Sequence, residues 1–364
     1  MRSRRPVLIY TLLAICSVLV SCKQKAAPAP PPEARPIGTP IQITAPLGLP
    51  PVPIPADNPP TAETVALGRR LYYDTALSVD NSVSCASCHS PQSGFCDGRP
   101  VSTGVRGQKG ARNAPTVINA AYYTTQFWDG RAPSLEQQAG GPMANPIEMG
   151  HTLQGVEQKL NANASYRADF KKAFGSDVIT IEMVEKAIAS FERTIVSGNS
   201  PFDRYMYGGD NKALSASAKR GLEVFRNPKK GNCAVCHTIE DNYALFTDNK
   251  FHNLGVGAKL GMTGEVELAD LGRFKVTNVD ADKGAFKTPS LRNIALTAPY
   301  MHDGSDKNLK EVIDFYIGAG NSNPYRDKEI HSLDFLTGQE RADLQEFLKS
   351  LTGDMPPNVG PPTL

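Results

Sequence analysis

Apolar residues recur at helical spacing in several places along the chain. Ile181, Val184, Ile188, Phe191 and Ile195 repeat every three or four residues, the stripe of an amphipathic helix. Two more helical stretches, Thr61 to Tyr73 and Ser215 to Phe225, each carry a central glycine, Gly68 and Gly221. Glycine at such a place lets a second helix cross at close backbone distance. A last helix presents Leu344, Phe347, Leu348 and Leu351 and opens on Thr337-x-x-Glu340, a capping box. Period-two alternation is sparse, and the connections are long and rich in Gly, Pro and Asn. The pattern predicts a mainly α chain of helical units. A boundary near Pro201 to Tyr207 follows the long helix, which is expected to end at Ser197-Gly198-Asn199.

The N-terminus departs from this pattern. Arg2, Arg4 and Arg5 precede a 14-residue apolar run, Val7 to Val20, which is short for a membrane span and reads as an export signal. Leu19-Val20-Ser21-Cys22 fits a lipoprotein signal with Cys22 acylated, the alternative being ordinary cleavage nearby. Residues 23–60 then hold 13 of the 29 prolines, the composition of an extended tether that could reach roughly 120 Å. Its second half, Pro46 to Pro60, carries Leu47, Leu49, Val52 and Ile54 and could instead lie along the folded body. The expected organisation is a signal peptide over 1–21, a Pro-rich tether over 22–56, and helical domains over 57–203 and 204–354. The formal charge is +2, with no basic stripe, so nucleic acid is not expected as a partner.

The chemistry lies in two Cys-x-x-Cys-His runs, Cys85-Ala86-Ser87-Cys88-His89 and Cys233-Ala234-Val235-Cys236-His237, which are 148 residues apart. This spacing lets two thioethers pin a haem edge while the next imidazole binds iron. Zinc or a disulfide are the alternatives, but zinc more often shows paired Cys-x₂-Cys or a distal His pair. Covalent haem also implies export, in agreement with the N-terminus. Of seven cysteines, Cys16 leaves with the signal, Cys22 takes lipid and four hold haem. Cys96 remains alone, a small buried residue, a redox-active thiol or one half of an external disulfide.

With the haem sites placed, the chain resembles the bacterial di-haem cytochrome c peroxidase family, which includes the MauG-type enzymes. The shared stretches are Leu67 to Asp74, Arg112 to Thr116, Phe127 to Ala132, Phe191 to Thr194 and Thr288 to Tyr300. The resemblance implies two cytochrome c-like domains, a peroxide-reacting haem on His89 and an electron-transfer haem on His237. Many relatives carry a distal histidine where this chain has Val105. Valine cannot ligate iron, so the first haem is expected to be five-coordinate at rest, unless His151 or Met149 substitutes. Glu148 matches the family's acid–base glutamate, Gln138 its hydrogen-bonding neighbour, and Pro142 lies between them.

Trp128, the only tryptophan, matches a ring between the haems that carries electrons, although core packing is its ordinary use. Tyr316 stands where peroxidases that store an electron have methionine and MauG-type enzymes have tyrosine, with Met301 the competing sixth ligand. Asn113 and the carbonyls of Thr297 and Pro299 match a calcium site between the haems. The expected activity is peroxide reduction. Electrons come from a small cytochrome c or cupredoxin, or from a residue on a partner protein. A membrane-tethered di-haem electron carrier without peroxidase activity is the alternative.

Overall fold

The computed structural model describes residues 37–261 and 266–363. The expected signal peptide, Cys16 and Cys22 with its expected acylation lie outside the described residues. No helix among the described residues is long and apolar enough to cross a membrane.

The chain forms two cytochrome c-type domains built on one plan. In the first, helices α1 (Ala62–Tyr73), α2 (Cys85–Cys88), α3 (Leu135–Ala144), α4 (Leu153–Asn161), α5 (Ala164–Phe174) and α6 (Ile181–Glu192) enclose a core that includes Leu71, Tyr72, Val105, Phe170, Ile188 and Phe191. The second is built on α7 (Pro201–Met206), α8 (Ala216–Arg226), α9 (Phe274–Thr277), α10 (Leu309–Ile317) and α11 (Gly338–Lys349). Its core gathers Phe202, Leu222, Phe225, Phe246, Ile313 and Phe347. Among the described residues, strand is confined to two short antiparallel pairs, β1 (Phe251–His252) with β4 (Phe286–Lys287), and β2 (Ala258–Leu260) with β3 (Val266–Leu268).

The two glycines decide how each domain closes. A Cβ on Gly68 would lie 1.8 Å from the Ala187 carbonyl oxygen of α6, and one on Gly221 would lie 2.0 Å from that of Asp343 in α11. Both crossings thus depend on a missing side chain. Phe191 and Phe347 flank these contacts in matching positions. The expected cap at Thr337 holds, its side chain accepting from Glu340 N, and Thr61 and Ser215 also cap their helices by accepting from Thr64 N and Ala218 N. The long helix is shorter than its periodicity suggested. It ends at Glu192, and Ile195 is buried beyond it in a turn made by Thr194 N→Phe191 O and Ile195 N→Glu192 O.

The expectation of a tether through residue 56 is corrected over residues 37–56, which strap the body. Ile41 N donates to Pro60 O at 3.1 Å, Asn199 N to Leu47 O at 2.8 Å and Ala244 N to Gly48 O at 3.0 Å. Leu49 and Val52 pack with Tyr122 and Val196. Burying those side chains outweighs the freedom a proline-rich chain keeps in water. Beneath the strap, Arg292 and Asp203 form a fully buried ion pair, and Arg292 also donates to Gly48 O at 2.6 Å. The C-terminal tail returns to the first domain, where Arg69 Nε donates to Gly360 O at 2.6 Å and Tyr73 OH to Val359 O at 2.6 Å.

Candidate functional site: two haem-binding motifs and the junction between them

Each Cys-x-x-Cys-His run is a single tight turn that delivers its imidazole inward. Cys85 to Cys88 form α2, and His89 caps it with its N–H on Cys85 O. Cys233 to Val235 form a 3₁₀ turn that starts from Asn232 in the left-handed region. The His89 Nδ1 lies 3.2 Å from Phe95 O, and the His237 Nδ1 lies 2.9 Å from Phe246 O. Both phenylalanines have positive φ, 59° and 53°, which turns their carbonyls toward the rings. A carbonyl partner fixes Nδ1 as the protonated nitrogen and leaves Nε2 free to bind a metal. Burial holds both imidazoles below their ordinary pKa, in the neutral form a ligand needs.

No disulfide joins Cys85, Cys88, Cys96, Cys233 and Cys236. Cys96 is buried, and its Sγ lies 2.8 Å from Ser93 O. Cys236, Asp248 and His252 come close enough to suggest a metal cluster. His252, however, already engages a carboxylate at each nitrogen, Asp248 at 2.9 Å and Asp327 at the other. Cys236 belongs to the second attachment motif, so these three form no separate site.

Around the first motif, the end of α3 folds back on itself. Met149 N bonds Pro142 O at 3.2 Å, and Asn145 Nδ2 donates to Glu148 Oε1 at 2.7 Å. The Val105 loop lies against this turn, with Val105 N donating to Glu148 O at 2.8 Å. A Cβ on Gly104 would meet the Ile147 carbonyl at 2.0 Å, so that approach also depends on glycine. Val105 and Met149 are both buried in the core. His151 is half-buried, its Nδ1 accepting from Thr152 N at 3.0 Å and its ring against Gly155 of α4. Burial raises the Glu148 carboxyl above its ordinary pKa, against the opposing pull of Arg131 and the Asn145 bond. Gln138 sits half-buried on α3, a turn and a half before that helix ends.

The second motif opens on a cavity of about 240 Å³. Cys233, Cys236 and His237 share it with Tyr316, Met301 and His302, and its other walls include Leu309, Val312 and Leu348. The donor set fits a covalently held haem: two thiols, a neutral imidazole with Nε2 free, and an apolar enclosure. Tyr316 stands in the last turn of α10, and its hydroxyl has no hydrogen-bond partner among the described residues. Burial pushes its phenol pKa well up, so only a bound cation would draw out the phenolate. Met301 has positive φ, 68°, in the turn closed by Tyr300 N→Asp306 O at 2.7 Å.

Trp128, Asn113, Thr297 and Pro299 line the same cavity from the junction of the domains. Trp128 Nε1 donates to Asn113 O at 2.9 Å. Asn113 Nδ2 donates to Arg99 O at 2.8 Å, which leaves its amide oxygen available, and no described donor reaches the Thr297 or Pro299 carbonyls.

Sequence reading did not assign the groups that hold this junction. Arg112 clamps Asp129 at 2.7 Å and Asp270 at 2.6 and 3.0 Å. His302 stacks on Phe286 with ring centroids 3.5 Å apart. Arg112 and Asp129 lay within shared stretches, but Asp270 is 158 residues from Arg112, and no spacing rule marks such a pair.

The fold and the paired motifs define a di-haem c-type cytochrome. Residues 62–212 match the family model for di-haem cytochrome c peroxidase, and residues 218–352 match that for cytochrome c. The chain is 40% identical to the methylamine utilization protein MauG of Methylophilus methylotrophus, over 83% of this chain and 86% of that one. It is 36% identical to the cytochrome-c peroxidase IdrP1 of Pseudomonas sp. strain SCT, over 100% of this chain and 97% of that one. A solved MauG-like protein associated with microbial copper homeostasis superposes with a TM-score of 0.75 at 36% identity, covering 85% of this chain and 95% of that one. The chain belongs to the di-haem cytochrome c peroxidase and MauG family, whose enzymes are oxidoreductases acting on peroxide with two covalent haems.

Proposed function

We propose that this chain is a periplasmic peroxidase that takes hydrogen peroxide at the His89 site without prior reduction. The bound haems would supply the two-electron reduction of peroxide and the storage of oxidising equivalents. His89 and His237 would be the proximal ligands, each presenting Nε2. Val105 carries the proposal: it is buried, and its backbone is tied to Glu148 O at 2.8 Å where many relatives have a distal histidine. A valine there brings no ligand atom and keeps the peroxide side open.

Glu148 would take a proton from one peroxide oxygen and return it to the other, the shuttle that O–O cleavage requires. Its half-buried carboxyl suits that task, since burial raises its pKa toward working pH while Asn145 orients Oε1. Gln138 would help to position the substrate, beside Pro142. Trp128 would relay electrons between the sites. Tyr316, with its unpartnered hydroxyl, is preferred to Met301 as the sixth ligand at the His237 site, and a phenolate there would favour oxidised iron. Asn113 with the Thr297 and Pro299 carbonyls would hold calcium, water completing its oxygen shell. The electrons would come from a small cytochrome c or cupredoxin, or from a residue on a partner protein, as the similarity to MauG suggests. Lipid on Cys22 would tether the enzyme to a membrane.

The test is to mix fully oxidised protein with one equivalent of peroxide. Immediate bleaching and shift of the haem bands is expected, with one high-spin and one low-spin ferric signal in the resting paramagnetic resonance spectrum. If nothing happens until an electron is added, an extra ligand closes the first site and the proposal fails.

A further inference from the structure

Two oxidisable rings, Trp128 and Tyr123, line both the large cavity of the second motif and a smaller one of about 40 Å³ at the domain junction. An oxidising equivalent crossing this junction therefore meets a choice that the proposed relay leaves open. The surroundings of the two rings differ. The indole N–H of Trp128 donates to the Asn113 carbonyl at 2.9 Å, and that dipole stabilises a ring that has lost an electron. Among the described residues no cation lies over the indole. The Tyr123 hydroxyl accepts from Ser290 N at 2.8 Å, and no described group accepts its proton. Phenol oxidation releases that proton, so the missing acceptor opposes it.

Above the Tyr123 ring stands Lys287, its Nζ 3.8 Å from the ring centroid. This side chain is buried, yet among the described residues its Nζ makes a single hydrogen bond, to Thr125 O at 2.7 Å. Its backbone N–H holds Trp128 O at 2.8 Å, so one residue of the second domain touches both rings' segments. Desolvation draws its pKa down to about 7, opposed by the Asp129 charge, so the amine still carries a proton for a good part of the time near neutrality. A positive charge against a ring face raises the energy needed to remove an electron from that ring.

We propose that Lys287 is a positioning residue that keeps Tyr123 out of the redox path, so that oxidising equivalents crossing the junction settle on Trp128. This rests on the relay reading of Trp128. Removing the ammonium would let Tyr123 give up one electron to the peroxide-derived oxidant and its hydroxyl proton to water.

The experiment uses the haem-loaded protein carrying ring-deuterated tyrosine, mixed with peroxide and frozen for paramagnetic resonance. In the natural protein no radical signal should narrow on tyrosine deuteration. Lys287→Met should gain a signal that does, and Lys287→Met/Tyr123→Phe should lose it. Lys287→Arg, which keeps the charge, should behave like the natural protein and separates a charge effect from a packing one. Haem content and the resting optical spectrum establish that each variant is folded. If folded Lys287→Met gives no tyrosine signal, or one that survives Tyr123→Phe, the inference is overturned. The relay reading is tested apart from this: Trp128→Phe leaving electron exchange between the two sites unchanged would refute that reading, and the inference with it.

Discussion

The two haem domains share a frame and differ in what faces the metal site. Each crosses two helices at a glycine, α1 on α6 at Gly68 and α8 on α11 at Gly221. Each pins its motif imidazole, His89 or His237, to the carbonyl of a positive-φ phenylalanine, Phe95 or Phe246. The frame needs only shape and one hydrogen bond, so one plan serves twice. Beyond it, the first domain brings carboxyl groups to its interior, Glu148 in the α3 turn and Glu192 on α6. The second brings a tyrosine and a methionine on a largely apolar wall, and Leu348 lines its cavity one residue after Phe347, as Glu192 follows Phe191. Proton chemistry needs acids. Storing charge needs ligands in dry surroundings. On the proposed reading, the shared scaffold would place each iron, while a few side chains that differ between the domains would assign each its task.

The sharpest attack on this contrast is Glu148→Gln, which keeps shape and removes the proton shuttle. Peroxide turnover should fall about 10²- to 10⁴-fold while reduction of the His237 site by a donor is unchanged. A loss of less than tenfold in stopped-flow mixing would remove Glu148 from the chemistry. Next come Gly68→Ala and Gly221→Ala, each forcing a Cβ into backbone and each expected to cost about 3 kcal/mol in denaturant unfolding. If one is tolerated and the other is not, the domains do not share their frame after all.

A third test concerns Glu192, whose buried carboxyl is pushed up to about 8 from its ordinary 4.5, mainly by desolvation. The folded chain then keeps a proton that the unfolded chain has released. Stability should therefore fall as pH rises from about 4.5 to 8, by up to about 1.4 kcal/mol per unit. Glu192→Gln should flatten that slope in unfolding curves taken across this range, and an unchanged slope would show that the carboxyl has a partner in the loaded protein. The mildest is Thr337→Ala, which removes the α11 capping box at a cost of about 1 kcal/mol and leaves peroxide rates untouched.

Much of this was legible in the residues because it depends on local rules. Cys-x-x-Cys-His spacing marks a haem wherever it folds, helical periodicity marks α6 and α11, and Thr337 with Glu340 marks a helix start. Glycine at a crossing was also readable, since absence of a side chain in a helix demands a neighbour. The proline-rich segment was half read: its apolar residues were visible, but only the groove holding Leu49 and Val52 turns a tether into a strap.

What the chain alone determined is the cofactor chemistry and the helical frame, because both follow from contacts between residues near in sequence. Tertiary structure alone decided the junction. Arg112 on Asp270 and Lys287 over Tyr123 join parts of the chain that no local pattern connects. Charge and π contacts act through space at a few ångströms, and only the packing of one domain on the other sets those distances.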